Sequence, residues 1–291
     1  MRAQPATLIL VSVLVGLFPG VARANPVLDW NAVMMAAIRL DNTGPTLSTR
    51  NLAILHLAIY DAVNSIERTH QPYGFQLEVK GPTSVDAAVN AAGYEVLSVL
   101  YPGVQARTEE VFVEWRAGVP NDVSITNGLA LGTEAARRTL DSRAGDGSAT
   151  DVPYIPSAEP GQWRRTPPFF RPPLTPGWRY VRPFALPEIE PFVPGPPPPL
   201  GSAQYASDLN EVRALGARNS AIRTEEQTLI ARFWSDFSYT AMPPGHWHEI
   251  AASIARNEGL GVAATARLMA LLGMAQADGA RSEERRVGKE C

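Results

Sequence analysis

The side chains able to do chemistry are few and scattered. Four histidines occur, His56, His70, His246 and His248. His56 sits between Leu55 and Leu57, which reads as a buried neutral imidazole bonded to a neighbouring helix. His70 falls in the polar stretch behind that run and reads as surface. His246-Trp247-His248 has the two-residue spacing of metal ligands on a strand, but a helix start there turns the rings to different sides, and no HExxH or Cys cluster accompanies them. The carboxylates Asp61, Glu67, Asp208, Glu211, Asp236 and Glu258 form no DxD or EF-hand pattern. Asp61 and Asn64 lie one helical turn apart, a spacing that could serve acid–base work or, as we read it, a hydrogen-bond network between helices. No GxGxxG, GxxxxGK[ST] or GxSxG occurs, so no phosphate cradle or nucleophile elbow is present. Arg164, Arg165, Arg171, Arg179 and Arg182 cluster in one aromatic-rich stretch. Such forks suit oxyanions, but stacking on the adjacent tryptophans is the plainer reading. With a formal net charge of −3, nucleic-acid binding has little support.

The elements that would position these groups are helical. The apolar spacing predicts helices over 31–40, then, after a break marked by Pro45, from a Ser48 or Thr49 cap to Ile66, over 84–100, over 104–115, and from an Asn121 cap to Arg143. Leu52, Leu55, Ile59, Val63 and Ile66 mark the second as a central helix. Ile125, Leu129, Ala136 and Leu140 form the inward face of the fifth. Residues 145–201 change character: 16 of the 26 prolines lie there, with the large aromatics Trp163, Phe169, Phe170, Trp178, Tyr180, Phe184 and Phe192 among them. Proline excludes helix and central strand, so this segment reads as an irregular strap across the helices, or else as a hinge between two domains. Helices resume after Ser202 and after a Thr224–Gln227 capping box, followed by Ile230, Phe233, Trp234 and Phe237 at helical spacing. Pro243-Pro244-Gly245 reads as a turn before a helix over 246–257. A last helix over 262–277 carries Leu268, Leu271, Leu272 and Ala275 on one face. The fold class expected is all-α, a helical bundle with a long proline-rich strap, divided as 25–144, 145–201 and 202–280.

Both ends stand apart. Arg2, an apolar run from Ala6 to Phe18 and Ala22-Arg23-Ala24 have the form of a signal peptide over 1–24. Cleavage after Ala24 would leave a soluble, exported chain of formal charge −5, destined for the periplasm or the cell exterior, with no membrane span left. The single cysteine, Cys291, rules out an internal disulfide. Residues 281–291, RSEERRVGKEC, are charge-dense and read as a non-native tail, with the natural sequence diverging after about Gly279 or Ala280.

Several stretches resemble the exported bacterial members of the vanadium-dependent haloperoxidase family, within the type 2 phosphatidic acid phosphatase superfamily. They are VLDWNAVMMAAIRLD (27–41), LAILHLAIYDAVNSI (52–66), AAVNAAGYEVLSVLYP (87–102), WRRTPPFFRPPLTPGWRYVRPF (163–184), SAQYASDLNEVRALGARNSAIRTEEQTLIARFW (202–234), PPGHWHEIA (243–251) and ARLMALLGMAQADGA (266–280). The resemblance covers nearly all of 25–280. It implies an all-helical fold, vanadate as cofactor of the parent enzyme, and oxidation of halide by hydrogen peroxide; some relatives hydrolyse phosphate monoesters or lipid phosphates instead. Both chemistries stabilise an oxygen-rich trigonal-bipyramidal centre, which calls for cationic side chains, backbone donors and an apical histidine.

The departure from the pattern lies in that pocket. The family carries a lysine and an Arg-Pro pair beyond the MAQADGA helix, then Pro-Ser-Gly-His, then an arginine and the apical histidine. None occurs here. Lys289 belongs to the suspect tail, Lys80 has no matching context, and His246 and His248 match a non-catalytic segment. No catalytic, cofactor-binding or metal residue is therefore assigned, and no cofactor is expected on this chain. Asp278 matches a position leading into the absent lysine helix and is read as structural. The expectation is the N-terminal part of a haloperoxidase with the C-terminal half of the bundle missing, inactive by itself. An acid-phosphatase-type parent and an exported non-enzymatic helical interaction protein are the alternatives, and a homo-oligomer is allowed.

Overall fold

A computed structural model describes the backbone of residues 25–284 and the side chains of 25–282. The signal-peptide reading of 1–24 and the end of the tail, 285–291, lie outside these residues. Nine α-helices occur among the described residues: α1 (Pro26–Asp41), α2 (Pro45–Glu67), α3 (Val85–Leu100), α4 (Gln105–Ala117), α5 (Val123–Arg143), α6 (Ala203–Gly216), α7 (Glu225–Phe233), α8 (Met242–Asn257) and α9 (Val262–Glu284). The same residues contain no strand.

α2 is the axis of the bundle. From Leu52 to Ile59 its side chains are fully enclosed, because α3, α5, α8 and α9 pack around it. That enclosure removes water from side chains all round the helix, at about 25 cal/mol for each Å² of apolar surface. Small residues set the helix spacings. Gly93 of α3 lies under the indole of Trp30, so closely that a Cβ would come 2.3 Å from the ring. The same indole donates from Nε1 to Asn90 Oδ1 at 3.0 Å. Gly273 of α9 faces Ala53, whose Cα would stand 2.9 Å from an added Cβ.

Helix starts differ from the sequence expectation wherever proline is involved. Pro45 does not break the chain but opens α2, capped by Gly44; Ser48 lies inside the helix. Pro243-Pro244-Gly245 is not a turn but the first turn of α8. Proline is tolerated there because first-turn N–H groups have no intrahelical acceptor to lose. α1 begins at Pro26 behind Asn25, five residues earlier than expected. α5 is capped by Asp122, not Asn121; its carboxylate accepts from Ser124 N at 2.8 Å and Ile125 N at 3.0 Å. Ser84, Ser202 and the Thr224–Gln227 box cap α3, α6 and α7.

Two apolar faces also differ. On α9 the fully buried apolar side chains are Ala266, Met269, Ala270 and Ala277, Leu268 and Leu272 pack partly buried against the core, and Leu271 is 45% exposed. The close approach at Gly273 puts the small residues at the centre of the contact and leaves Leu268 and Leu272 at its edge. On α6 and α7 no residue is buried, and Ile230, Phe233, Trp234 and Phe237 stay exposed. The 145–201 stretch is irregular, with short 3-10 turns at Trp178–Tyr180 and Glu190–Phe192. Trp178, Val181 and Ile189 bury themselves along it. α9 continues through Arg281 to Glu284, so the first residues of the suspected tail extend the helix.

Candidate functional site

Among the described residues, two gatherings of buried polar side chains stand out: a clasp that holds the strap to the bundle, and an enclosed pair of imidazoles in the core.

The clasp is built on residues 182–186 of the strap. Asp278, buried on α9, accepts the backbone N–H of Phe184 at 2.7 Å through Oδ1, and those of Ala185 and Leu186 at 2.8 and 3.0 Å through Oδ2. Tyr73 donates its hydroxyl to the Phe184 carbonyl at 2.6 Å. Arg143, the last residue of α5, donates from Nη1 to the Pro183 carbonyl and from Nη2 to the Arg182 carbonyl. Its guanidinium lies 3.8 Å above the Phe184 ring. Burial pushes the Arg143 pKa down. Asp146 offsets that cost by accepting from Arg143 Nε at 3.0 Å and from Arg50 Nε at 2.8 Å. Burial, the largest single influence, would raise the Asp146 carboxyl, but the bonds and charge of Arg50 and the bonds from Ser148 together outweigh it and hold the carboxyl below its usual range.

Asp61 supports the clasp from α2. Its carboxylate accepts from Tyr73 N at 2.8 Å and Gly74 N at 2.9 Å, which aims Tyr73 at the strap. Burial raises the Asp61 pKa against these bonds. Asn64 clamps the same loop through the N–H and carbonyl of His70. The expected Asp61–Asn64 network is therefore helix to loop, not helix to helix, because the chain after α2 folds back along its own last turns. Arg143, Arg50, Asp146 and Tyr73 were not singled out in the sequence. Their one local signal is the Gly145-Asp146-Gly147 turn after α5, with both glycines at positive φ.

The histidines part company. His56 donates through Nε2 to Asn31 Oδ1 of α1, at 3.0 Å. The His56 and His248 rings stack, with centroids 5.0 Å apart and planes 16° from parallel. Both are fully buried. Burial drives the His56 pKa well below the usual value, and that of His248 down to about 3. His246, two residues away, turns outward to Asp236 at 3.2 Å and packs on Phe233 and Trp234. His70 is exposed beside Thr69. In the strap, Arg171 and Arg179 stack on Phe169 and Tyr180, not on tryptophans, while Arg164 and Arg165 are exposed.

These groups do not fit vanadate. Such a centre needs cations and an imidazole on one cavity. Here Arg50 and Arg143 serve Asp146, Arg182 bonds the Ser142 carbonyl, His246 pairs with Asp236, and His56 and His248 are enclosed in the core. Among the described residues no cluster of three or more metal-ligating side chains occurs, and no helix is long and apolar enough to cross a membrane. Beside the clasp, an apolar cleft of about 440 Å³ opens between Leu186, Ile189 and Phe192 of the strap and Leu271, Met274 and Ala275 of α9.

No protein-family model and no curated protein matches the chain. Two of the solved structures similar to it are bacterial vanadium-dependent peroxidases. A bacterial vanadium-dependent iodoperoxidase superposes with a TM-score of 0.78 at 24% identity, covering 91% of this chain and 70% of its own. The holo form of a bacterial vanadium-dependent chloroperoxidase superposes at 0.65 and 14% identity, covering 92% of this chain and 63% of its own. The chain thus spans less than two thirds of the second relative, and it shares the all-helical fold of these two vanadium-dependent peroxidases.

Proposed function

We propose that this chain forms the scaffold half of a vanadium-dependent haloperoxidase, whose parent enzyme oxidises halide with hydrogen peroxide, and that the oxyanion pocket is completed by sequence following α9. The observation that supports this is the superposition on the iodoperoxidase over 91% of the chain, while the described residues gather no cationic pocket. In this reading the clasp fixes the end of α9, the helix from which the pocket sequence continues. The part in hand supplies position and supplies no reacting group.

Halide oxidation tests both parts. The chain as it stands, given vanadate, peroxide, iodide or bromide and monochlorodimedone, shows no vanadate-dependent turnover. The coding sequence recovered from source DNA beyond codon 280 carries the lysine, Arg-Pro and Pro-Ser-Gly-His segments, and its product turns over with vanadate. Turnover by the present chain overturns the first part. A recovered product that releases phosphate from a monoester faster than it oxidises halide assigns the parent to the phosphatases. A reading frame that ends at Cys291 with a stable, inactive fold favours a non-enzymatic exported protein.

A further inference from the structure

The imidazole pair in the core carries a hydrogen-bond deficit that the protein does not meet. Four helices meet at this point: α1 through Asn31, α2 through His56, α8 through His248 and α9 through Gln276. His56 spends its Nε2–H on Asn31, so its Nδ1 is a lone-pair acceptor, and it is buried without a partner. Gln276 donates from Nε2 to the Pro244 carbonyl at 3.3 Å. That contact fixes the amide, and Oε1 is left as a second buried acceptor without a partner. Gln276 comes near enough to His248 to favour its charged form, but the contact lacks hydrogen-bond geometry, and both nitrogens of His248 are unmet.

A neutral His248 offers one N–H and one lone pair. The remaining groups therefore number three acceptors and one donor. If the His248 N–H turns to Gln276 Oε1, two imidazole lone pairs remain, one on each ring, with nothing to accept from. Unmet buried acceptors cost free energy, and native interiors pair nearly all of them. A proton would supply one donor at the cost of a charge in an apolar core, which this burial disfavours. No carboxylate stands by to offset it: α1 presents Asn31 and α9 presents Gln276, while Asp278 is committed to the strap and His246 and Asp236 pair outside.

We propose that one internal water molecule binds between His56 and His248, donating one O–H to each imidazole and joining α2 to α8. Water is the smallest ligand with two donors. Two hydrogen bonds of about 2.8 Å diverging at the water angle reach acceptors about 4.4 Å apart, a span compatible with rings at a centroid separation of 5.0 Å. The water's own lone pairs face the enclosed interior, so it is held by about two bonds, at the lower end for buried waters. The site does not depend on the haloperoxidase reading.

A high-resolution crystal structure of the wild-type chain tests this directly, with water-to-imidazole nuclear Overhauser effects on 15N-histidine-labelled protein as the solution readout. The expected result is one ordered peak about 2.7–3.2 Å from a nitrogen of each ring, with both rings neutral at pH 7 and a cross-peak from water to their carbon-bound protons. In His248→Phe the peak is lost. An ordered wild-type core with no peak and no Overhauser effect overturns the proposal, as does an anomalous signal identifying a metal ion, or a peak that persists in His248→Phe. If that variant does not fold, the wild-type measurements decide.

Discussion

Asp278 and Phe184, 94 residues apart in sequence, are joined by the shortest of the three backbone bonds this carboxylate accepts, 2.7 Å from Phe184 N to Oδ1. One buried side chain thus fixes where the strap crosses the last helix. Removing it strands three N–H groups. Asp278→Ala is expected to cost about 3 kcal/mol, since a bond to a charged group is worth about 1.5–3 kcal/mol and the bonds are not additive. Asp278→Asn, which keeps one oxygen acceptor, is expected to fall between. Urea unfolding midpoints give the ranking. Limited proteolysis should cut the 150–200 region of the Ala variant faster than wild type, and an unchanged cleavage rate would refute the clasp.

Arg143 makes the complementary contacts. Arg143→Lys should be nearly as harmful as Arg143→Met, because a point charge cannot serve Asp146, two carbonyls and a ring face together. Breaking a buried pair from one side costs about 3–5 kcal/mol, lessened here because Arg50 still holds Asp146. Thermal melts of the two variants beside Arg50→Met check this. Full stability of Arg143→Lys would show that charge alone suffices.

Acid should loosen the core. His56 and His248 titrate in the unfolded chain near 6.5 but are held neutral in the fold, with His248 lowered to about 3. Below the unfolded value the unfolded state therefore binds more protons. Their contribution is complete above about pH 6.5 and is lost as pH falls toward the folded pKa. The loss approaches about 1.4 kcal/mol per pH unit for each ring. Denaturation midpoints between pH 7 and 4 should show this slope, and His248→Phe should flatten it. Equal slopes for variant and wild type would count against the assignment.

Gly273→Ala should destabilise by about 1–3 kcal/mol through overpacking, since the added methyl meets the backbone of Ala53 and not a movable side chain. Far-ultraviolet circular dichroism should keep its helical form while the melting temperature falls. An unchanged melt would mean that α9 slides freely on α2.

Much of this architecture was legible in the residues. The apolar periodicity of α2 and α3, the Ser202 cap and the Thr224–Gln227 box are local signals, set by spacing within a few residues. Proline was misread twice, at Pro45 and Pro243, because the same ring that ends one helix can open the next. The α9 face was read only in part, with Leu268 and Leu272 packing on the core and Leu271 not, because leucines outweigh glycine and alanine in a hydrophobic pattern, although the small residues decide how closely two helices approach. The clasp was hidden for a different reason. Arg143, Tyr73 and Asp278 are held together by the path of a strap with no periodicity, and the stacking of His56 on His248 joins residues 192 positions apart. Asp61 was visible as a candidate, but its partners lie in the loop behind it, which no pattern announces.

The indole of Trp30 occupies the room that Gly93 leaves open. Descent with modification at these two sites is consequently linked. A lineage that enlarges position 93 must first, or at once, accept a slimmer ring at 30, and it forfeits the tether to Asn90 as it does so. Among homologous chains the two positions should drift as a pair, with tryptophan found opposite glycine and seldom opposite anything larger.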